Sequence, residues 1–295
     1  NSTNANTAVG SSVGYNITTG SGNSLFGYRA GDAGNFGSAT LIGYQAGGAI
    51  NSTDADGTVA VGYSALNALT SGAGNIAIGY QALQEHTEGS RNLAIGYQAM
   101  YNTWDGSADD SRESSDNVAI GYQSMGGAWT DADADDNDMS QFNVAVGNYT
   151  MNGAMAGCLN NTAVGYHSLN ALTTGGNNVA VGFEAGHDAT SGSRSVFIGY
   201  QAGDKTNSSE NVAIGYQALG GAGINNSVAV GYLSGTVMTG GNNVAVGSLS
   251  GYTTTSGTNN TLIGASADTD AATGSYHLKL GHYGALQYVT ARIEM

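Results

Sequence analysis

The stretch Asn75-Ile76-Ala77-Ile78-Gly79-Tyr80-Gln81-Ala82-Leu83 recurs along the whole chain and decides its fold. Near-copies begin at Asn92 and Asn211, and the last, degenerate copy ends on Gly281. Consecutive copies are mostly 16 or 17 residues apart. A repeat this short is one turn of a stacked structure rather than a domain. The glycines that mark the copies are Gly10, Gly27, Gly43, Gly62, Gly79, Gly96, Gly121, Gly147, Gly165, Gly182, Gly199, Gly215, Gly231, Gly247, Gly264 and Gly281.

Two classes of side chain alternate within each copy. Counted from the glycine as position 0, positions −3 and −1 carry larger, usually β-branched residues, whereas positions −2 and 0 carry small ones. This period of two predicts a β-strand. We expect one face of the strand to form an apolar stripe. We expect the flat alanine–glycine face to be where identical neighbouring chains pack, because small residues let another backbone approach closely.

Two further positions predict ladders along the stack. Asparagine at −4 is expected at a corner with positive φ, and stacking would align its side chains into an amide ladder. Tyrosine at +1 is expected to stack from coil to coil, and the alternative for this column is an exposed aromatic rack that binds sugars. The predicted ladder residues are Asn75, Gly79, Tyr80, Asn92, Gly96, Tyr97, Asn211, Gly215 and Tyr216.

The repeat therefore predicts an all-β protein, a parallel β-solenoid (β-roll) of about 16 coils with 16–17 residues each. Such a coil encloses a thin core, which favours a second core shared with identical neighbours. The array is expected over residues 1–264, with lateral insertions at 101–117 and 126–143. Residues 265–295 depart from the spacing and are expected to form a C-terminal cap or attachment segment.

Composition limits the possible partners. The net charge is −15, with 7 basic and 22 acidic residues, which argues against nucleic acid and against acidic membrane surfaces. No apolar run reaches the roughly 18 residues of a membrane span. The chain has neither a Walker loop nor a Gly-x-Ser-x-Gly elbow. We therefore expect no enzymatic activity; a solenoid glycan hydrolase is the third alternative.

The two insertions carry the candidate binding residues. Trp104, Asp105 and Trp129 are candidate receptor contacts, because binding residues concentrate in loops that do not follow the repeat; the alternative is that the tryptophans anchor their own loops. Alternating carboxylates predict a possible Ca²⁺ site, and the alternative is a solvated acidic loop. The candidate Ca²⁺ ligands are Asp131, Asp133 and Asp135, and no other cofactor is expected.

The pattern Asn-x-Ala-Ile/Val-Gly resembles the head repeat of trimeric autotransporter adhesins, and its longer form ending in Tyr-Gln-Ala-Leu resembles repeat arrays of phage-type tail fibres. The resemblance covers residues 1 to about 281. It implies a homotrimeric rod on a virion or cell surface that binds a host glycan or protein receptor. It also implies that the end at residues 291–295 is a self-cleavage point. The alternative is a homopolymeric extracellular filament that assembles end to end.

Overall fold

The computed structural model of the protein describes residues 5–103, 114–129, 139–221, 224–269 and 272–281. Contacts divide the chain into two units, Asn1–Gly176 and Asn177–Met295. Both units are built from β-structure: the described residues contain no α-helix and a single 3-10 turn, Thr53–Ala55.

Each coil contributes one three-residue strand. In the described part of the first unit these are β1 Thr7–Val9, β2 Ser24–Phe26, β3 Thr40–Ile42, β4 Val59–Val61, β5 Ile76–Ile78, β6 Leu93–Ile95, β7 Val118–Ile120, β8 Val144–Val146 and β9 Thr162–Val164. In the described part of the second they are β10 Val179–Val181, β11 Val196–Ile198, β12 Val212–Ile214, β13 Val228–Val230, β14 Val244–Val246, β15 Thr261–Ile263 and β16 Leu278–Leu280.

The strands of each unit stack in chain order, in parallel and in register. In the first unit Ala94 lies opposite Ala119, which in turn lies opposite Ala145. In the second unit Ala213 lies opposite Ala229 in the same way. Because equivalent repeat positions face each other from coil to coil, the predicted parallel β-solenoid is confirmed.

The alanine at position −2 points into the coil's own core. Ala77, Ala94 and Ala119 are fully buried within the single chain. The opposite wall of the core comes from the turn segment after the tyrosine, where Leu83 and Met100 are also fully buried. A coil of this length encloses only one layer of side chains, so a small residue on the strand leaves room for a large one on the turn.

The expected packing of an identical chain on the alanine–glycine face is therefore wrong. The larger residues at −3 and −1 point outward instead, and Ile78 on β5 keeps 39% of its surface exposed. The glycine at position 0 is needed for stacking along the coil axis. Gly79 has a φ of +141°, and a Cβ built on it would lie 2.7 Å from the carbonyl carbon of Gly96 in the next coil.

The corner before each strand uses position −5 rather than −4. Arg91, Asp116 and Asn160 have φ values of 59°, 61° and 58°. The asparagines that follow them at −4 are not among the residues with positive φ. The expectation of a left-handed asparagine is therefore wrong, and the buried environment of these asparagines explains their recurrence, as described below.

Two predicted regions lie partly outside the described residues. Of the insertions at 101–117 and 126–143, residues 104–113 and 130–138 are not described. At the C-terminal end, β16 pairs in register with β15, so that Thr261 lies opposite Leu278. The rest of the expected cap, residues 282–295, lies outside the described residues and stays a prediction.

Candidate functional site

The outward strand face is the first candidate surface. Every described strand presents positions −3 and −1 outward, and most of these residues are valine, isoleucine or leucine. Ile78 in the first unit and Ile198 in the second are each 39% exposed. Soluble monomers rarely expose a continuous apolar patch larger than a few hundred Å². A surface of this kind therefore indicates an interaction site.

This strand face carries no charge over most of its length. None of the residues in β1–β15 is acidic or basic, although the whole chain contains 22 acidic residues. Lys279 in β16 is the one charged residue within the described strands. Acidic groups are thus absent from this face throughout β1–β15.

A buried amide ladder runs beside the strands of the first unit. The Oδ1 atom of Asn92 accepts hydrogen bonds from the backbone N–H of Asn117 at 3.1 Å and from its Nδ2 at 3.2 Å. Asn117 Oδ1 likewise accepts from the backbone N–H and from the Nδ2 of Asn143, both at 3.1 Å. The predicted ladder members Asn75 and Asn92 are joined in this way, at 3.0 and 3.2 Å.

From Asn178 to Asn243 the second unit alternates asparagine with serine at the same position. The Oγ atom of Ser195 accepts from the backbone N–H of Asn211 at 3.2 Å, and Asn211 Oδ1 accepts from the N–H of Ser227 at 3.1 Å. Ser227 Oγ then accepts from the N–H of Asn243 at 3.1 Å. In most coils the −4 residue therefore supplies a buried side-chain oxygen that accepts the next coil's backbone N–H. Ala39 occupies this position in the coil of β3 and has no such oxygen.

Tyrosine rings form a continuous stack on the outer surface. In the first unit, neighbouring rings lie 5.0–5.3 Å apart with interplanar angles of 5–18°. The stack ends at Tyr149, which meets Tyr122 edge-on at 62°. Each stacked ring keeps 39–46% of its surface exposed. Its members are Tyr28, Tyr44, Tyr63, Tyr80, Tyr97 and Tyr122.

The second unit has a shorter stack of the same kind. Phe183, Tyr200, Tyr216 and Tyr232 follow each other at 5.0–5.4 Å. Within both stacks each inner ring has a neighbour on either face, so a sugar ring has no room to lie on it. The column is therefore a structural stack through its interior, and only a terminal ring offers an open face.

A glutamine column accompanies the tyrosines. Gln98 Nε2 donates to Gln81 Oε1 at 2.9 Å, and Gln123 Nε2 donates to Gln98 Oε1 at 2.8 Å. The residues of this column have positive φ, between 48° and 56° for these three. Side-chain hydrogen bonds between coils thus accompany a strained backbone that recurs in every turn.

The predicted receptor contacts are described only in part. Trp129 is 4% exposed, and its backbone N–H donates to the carbonyl of Asn102 at 2.9 Å. Its indole N–H has no hydrogen-bond partner in the part of the chain that the structure describes. The burial of Trp129 agrees with the alternative that it anchors its own loop. Trp104, Asp105, Asp131, Asp133 and Asp135 lie outside the described residues, so the receptor and Ca²⁺ predictions for them are untested.

One cluster of titratable groups was not anticipated from the sequence. His187 Nδ1 lies 2.8 Å from Asp188 Oδ1 and 3.8 Å from Asp204 Oδ1. Burial, followed by the charge of Asp188, raises the pKa of the Asp204 carboxyl. His187 and Asp204 occupy the same repeat position, +5, in neighbouring coils, and this equivalence is the signal that could have found them.

Comparison with known proteins adds no family. No family model matches the chain, and no curated protein is similar to it. Among the described residues, no helix is long and apolar enough to span a lipid bilayer.

Proposed function

We propose that the protein is a non-enzymatic structural and adhesive fibre segment, which self-associates through its outward strand face. The observation that carries this proposal is the uncharged, exposed apolar face of β1–β15. A solenoid coil already fills its own core with alanine, leucine and methionine, so these outward valines and isoleucines have no partner within their coil. The same face of a second copy of the chain would give these side chains an apolar packing partner.

The area of the strand face in each unit corresponds to a small interface. With strands of three residues at about 3.3 Å each and about 4.8 Å between strands, the face covers roughly 430 Å² in the first unit and roughly 330 Å² in the second. Each of these areas is about half or less of the ~800 Å² that each partner contributes to a standard interface. Association buries this surface without bringing carboxylates together, which supports a homo-oligomer despite the net charge of −15.

The stoichiometry, location and receptor are proposed from the resemblance. Repeats of this pattern in autotransporter adhesin heads and tail fibres suggest a homotrimer on a virion or cell surface. In this proposal the trimer contacts a glycan or protein receptor on a host or other surface. Ca²⁺ binding by the second insertion is part of the same proposal. It rests on the sequence alone, because the carboxylates lie outside the described residues.

Sedimentation of the purified full chain tests the association. We expect a trimer for the wild type and a monomer for Ile78→Asp or Ile198→Asp, because each places a charge on the apolar face. The matched control is Ala73→Asp, which adds the same charge at an exposed position outside the strands and is expected to stay trimeric. Circular dichroism of all variants confirms that β-structure is kept.

Two outcomes would contradict parts of this proposal. A wild-type chain that sediments as a monomer at micromolar concentration refutes association through the strand face. Indefinite fibrils in electron micrographs, in place of particles of fixed length, refute the closed trimer and favour the end-to-end filament.

A further inference from the structure

An open cleft of 310 Å³ lies on the outer surface of the first unit, beside the end of the tyrosine stack. All of its lining residues come from two neighbouring coils, and they combine two aromatic rings with four polar side chains. The cleft is therefore made by ordered solenoid positions rather than by an insertion. Its lining residues are Ser12, Tyr15, Asn16, Tyr28, Arg29 and Asp32.

Tyr28 is the terminal ring of the stack. It stacks on Tyr44 at 5.3 Å, and Tyr44 is its one ring partner among the described residues. The equivalent position in the preceding coil holds Ser11, which cannot cover an aromatic face. Tyr28 therefore differs from the inner rings, because one of its faces adjoins the cleft. Tyr15, at 79% exposure, supplies a second aromatic surface on the same cleft.

The polar side chains of the cleft leave hydrogen-bonding groups unused. Arg29 Nε donates to Asp32 Oδ2 at 2.6 Å, and Asn16 Nδ2 donates to the Asp32 carbonyl at 2.6 Å. Within the part of the chain that the structure describes, the two terminal nitrogens of Arg29, Asp32 Oδ1 and Asn16 Oδ1 make no further hydrogen bond. The cleft thus presents neighbouring donors and acceptors held in fixed positions by their own internal bonds.

We infer that this cleft binds a saccharide unit with vicinal hydroxyl groups. Adjacent hydroxyls each donate and accept, which matches a guanidinium beside carboxylate and amide oxygens. The apolar C–H face of a pyranose ring fits an open tyrosine face. The Arg29 and Asp32 charges balance, which favours a neutral sugar over an anionic one. The volume falls at the lower end of the range for small-molecule sites.

The inference rests on the adhesive half of the proposed function and gives it a location and a ligand class. It does not depend on the strand face, because the cleft lies within one chain. Arg29 occupies the +2 position, where other coils of this unit carry Gln45, Gln81 and Gln98. The substitution Arg29→Gln therefore restores the repeat residue and is expected to leave the fold intact.

Affinity electrophoresis of the full chain tests the inference, with gels containing dextran, mannan or galactan as neutral probes and heparin as an anionic one. We expect at least one neutral polysaccharide to retard the wild type. Arg29→Gln and Tyr15→Ala should each weaken that retardation by about tenfold, equivalent to ~1.4 kcal/mol. Arg91→Gln and Tyr252→Ala are matched controls outside the cleft, and each should stay within about twofold of the wild type.

Three results would overturn the inference. They are the absence of retardation by every neutral polysaccharide, retardation by heparin alone, and equal retardation of the wild type and both cleft variants. Sedimentation of the same samples reports the oligomeric state independently. A wild type that sediments as an oligomer but is not retarded by any neutral polysaccharide therefore counts against the cleft alone. A monomeric wild type that is still retarded counts against the strand face alone.

Discussion

Replacement of Asn117 by alanine tests the buried amide ladder most directly. Asn117 is fully buried. Its Oδ1 atom is the acceptor for the backbone N–H of Asn143 at 3.1 Å, and its Nδ2 donates to the carbonyl of Ser140 at 2.9 Å. Nδ2 also donates to the carbonyl of Ser115 at 3.1 Å. Alanine removes all of these bonds, so three buried backbone groups are left without this hydrogen-bond partner.

The expected loss follows from those three groups. A buried polar group without a partner costs about 1–3 kcal/mol, so Asn117→Ala should lower the free energy of unfolding by about 3–9 kcal/mol. Asn117→Ser is the matched control, because serine occupies this position at Ser195 and accepts the next N–H there at 3.2 Å. It keeps an acceptor for Asn143 but leaves the carbonyls of Ser140 and Ser115 without this donor, so its loss should be about 2–6 kcal/mol.

Urea denaturation followed by circular dichroism measures both losses. Long repeat arrays do not always unfold in one step, so hydrogen exchange of the Asn143 amide provides a local measurement. That amide should exchange faster in Asn117→Ala and remain protected in Asn117→Ser. Equal stability of the alanine and serine variants would refute the claim that a side-chain acceptor is what this position requires.

Three further perturbations follow from the same stack. Gly121→Ala should lower the free energy of unfolding by about 2–6 kcal/mol, since φ is +136° and a Cβ would lie 2.6 Å from the Gly147 carbonyl carbon. Gly57→Ala, with φ +77° and open space around it, should cost about 1–2 kcal/mol; equal losses in urea denaturation would contradict this account. Burial lowers the pKa of His86 from 6.5 to about 4, so on acidification the unfolded chain binds the proton before the folded chain does. The free energy of unfolding should therefore fall by up to about 3 kcal/mol between pH 7 and pH 4. Urea denaturation at both pH values should show a smaller fall for His86→Gln than for the wild type. Tyr97→Ala removes two stacked ring contacts and should lower the free energy of unfolding by about 1–3 kcal/mol in the same assay. An unchanged free energy of unfolding would mean that the stack does not stabilise the fold.

The strands and the tyrosine stack were predictable because they depend on local periodicity and on repetition. Alternation in Ile76-Ala77-Ile78, repeated in copy after copy, indicates a strand. A 16–17-residue spacing then places each tyrosine over the one before, since every coil repeats the same path. The stacking of Tyr80 on Tyr97 at 5.1 Å follows from that register.

The cleft and the His187 cluster were not predictable in this way. Both depend on which residue of one coil lies beside which residue of the next, at positions where the repeat varies. Arg29 lies at +2 and Asn16 at +6, positions where the residue changes from coil to coil. Their proximity becomes visible only when the coils are stacked in space.

The sequence by itself determined the parallel β-solenoid, because period-two alternation repeated every 16–17 residues has one way to stack in register. The tertiary structure decided which side of the strand faces inward. Alternation places alanine and isoleucine on opposite faces but does not say which face is the core. The large Leu83 and Met100 side chains of the opposing turn fill the narrow coil, which leaves room only for alanine opposite them and turns the valine–isoleucine face outward.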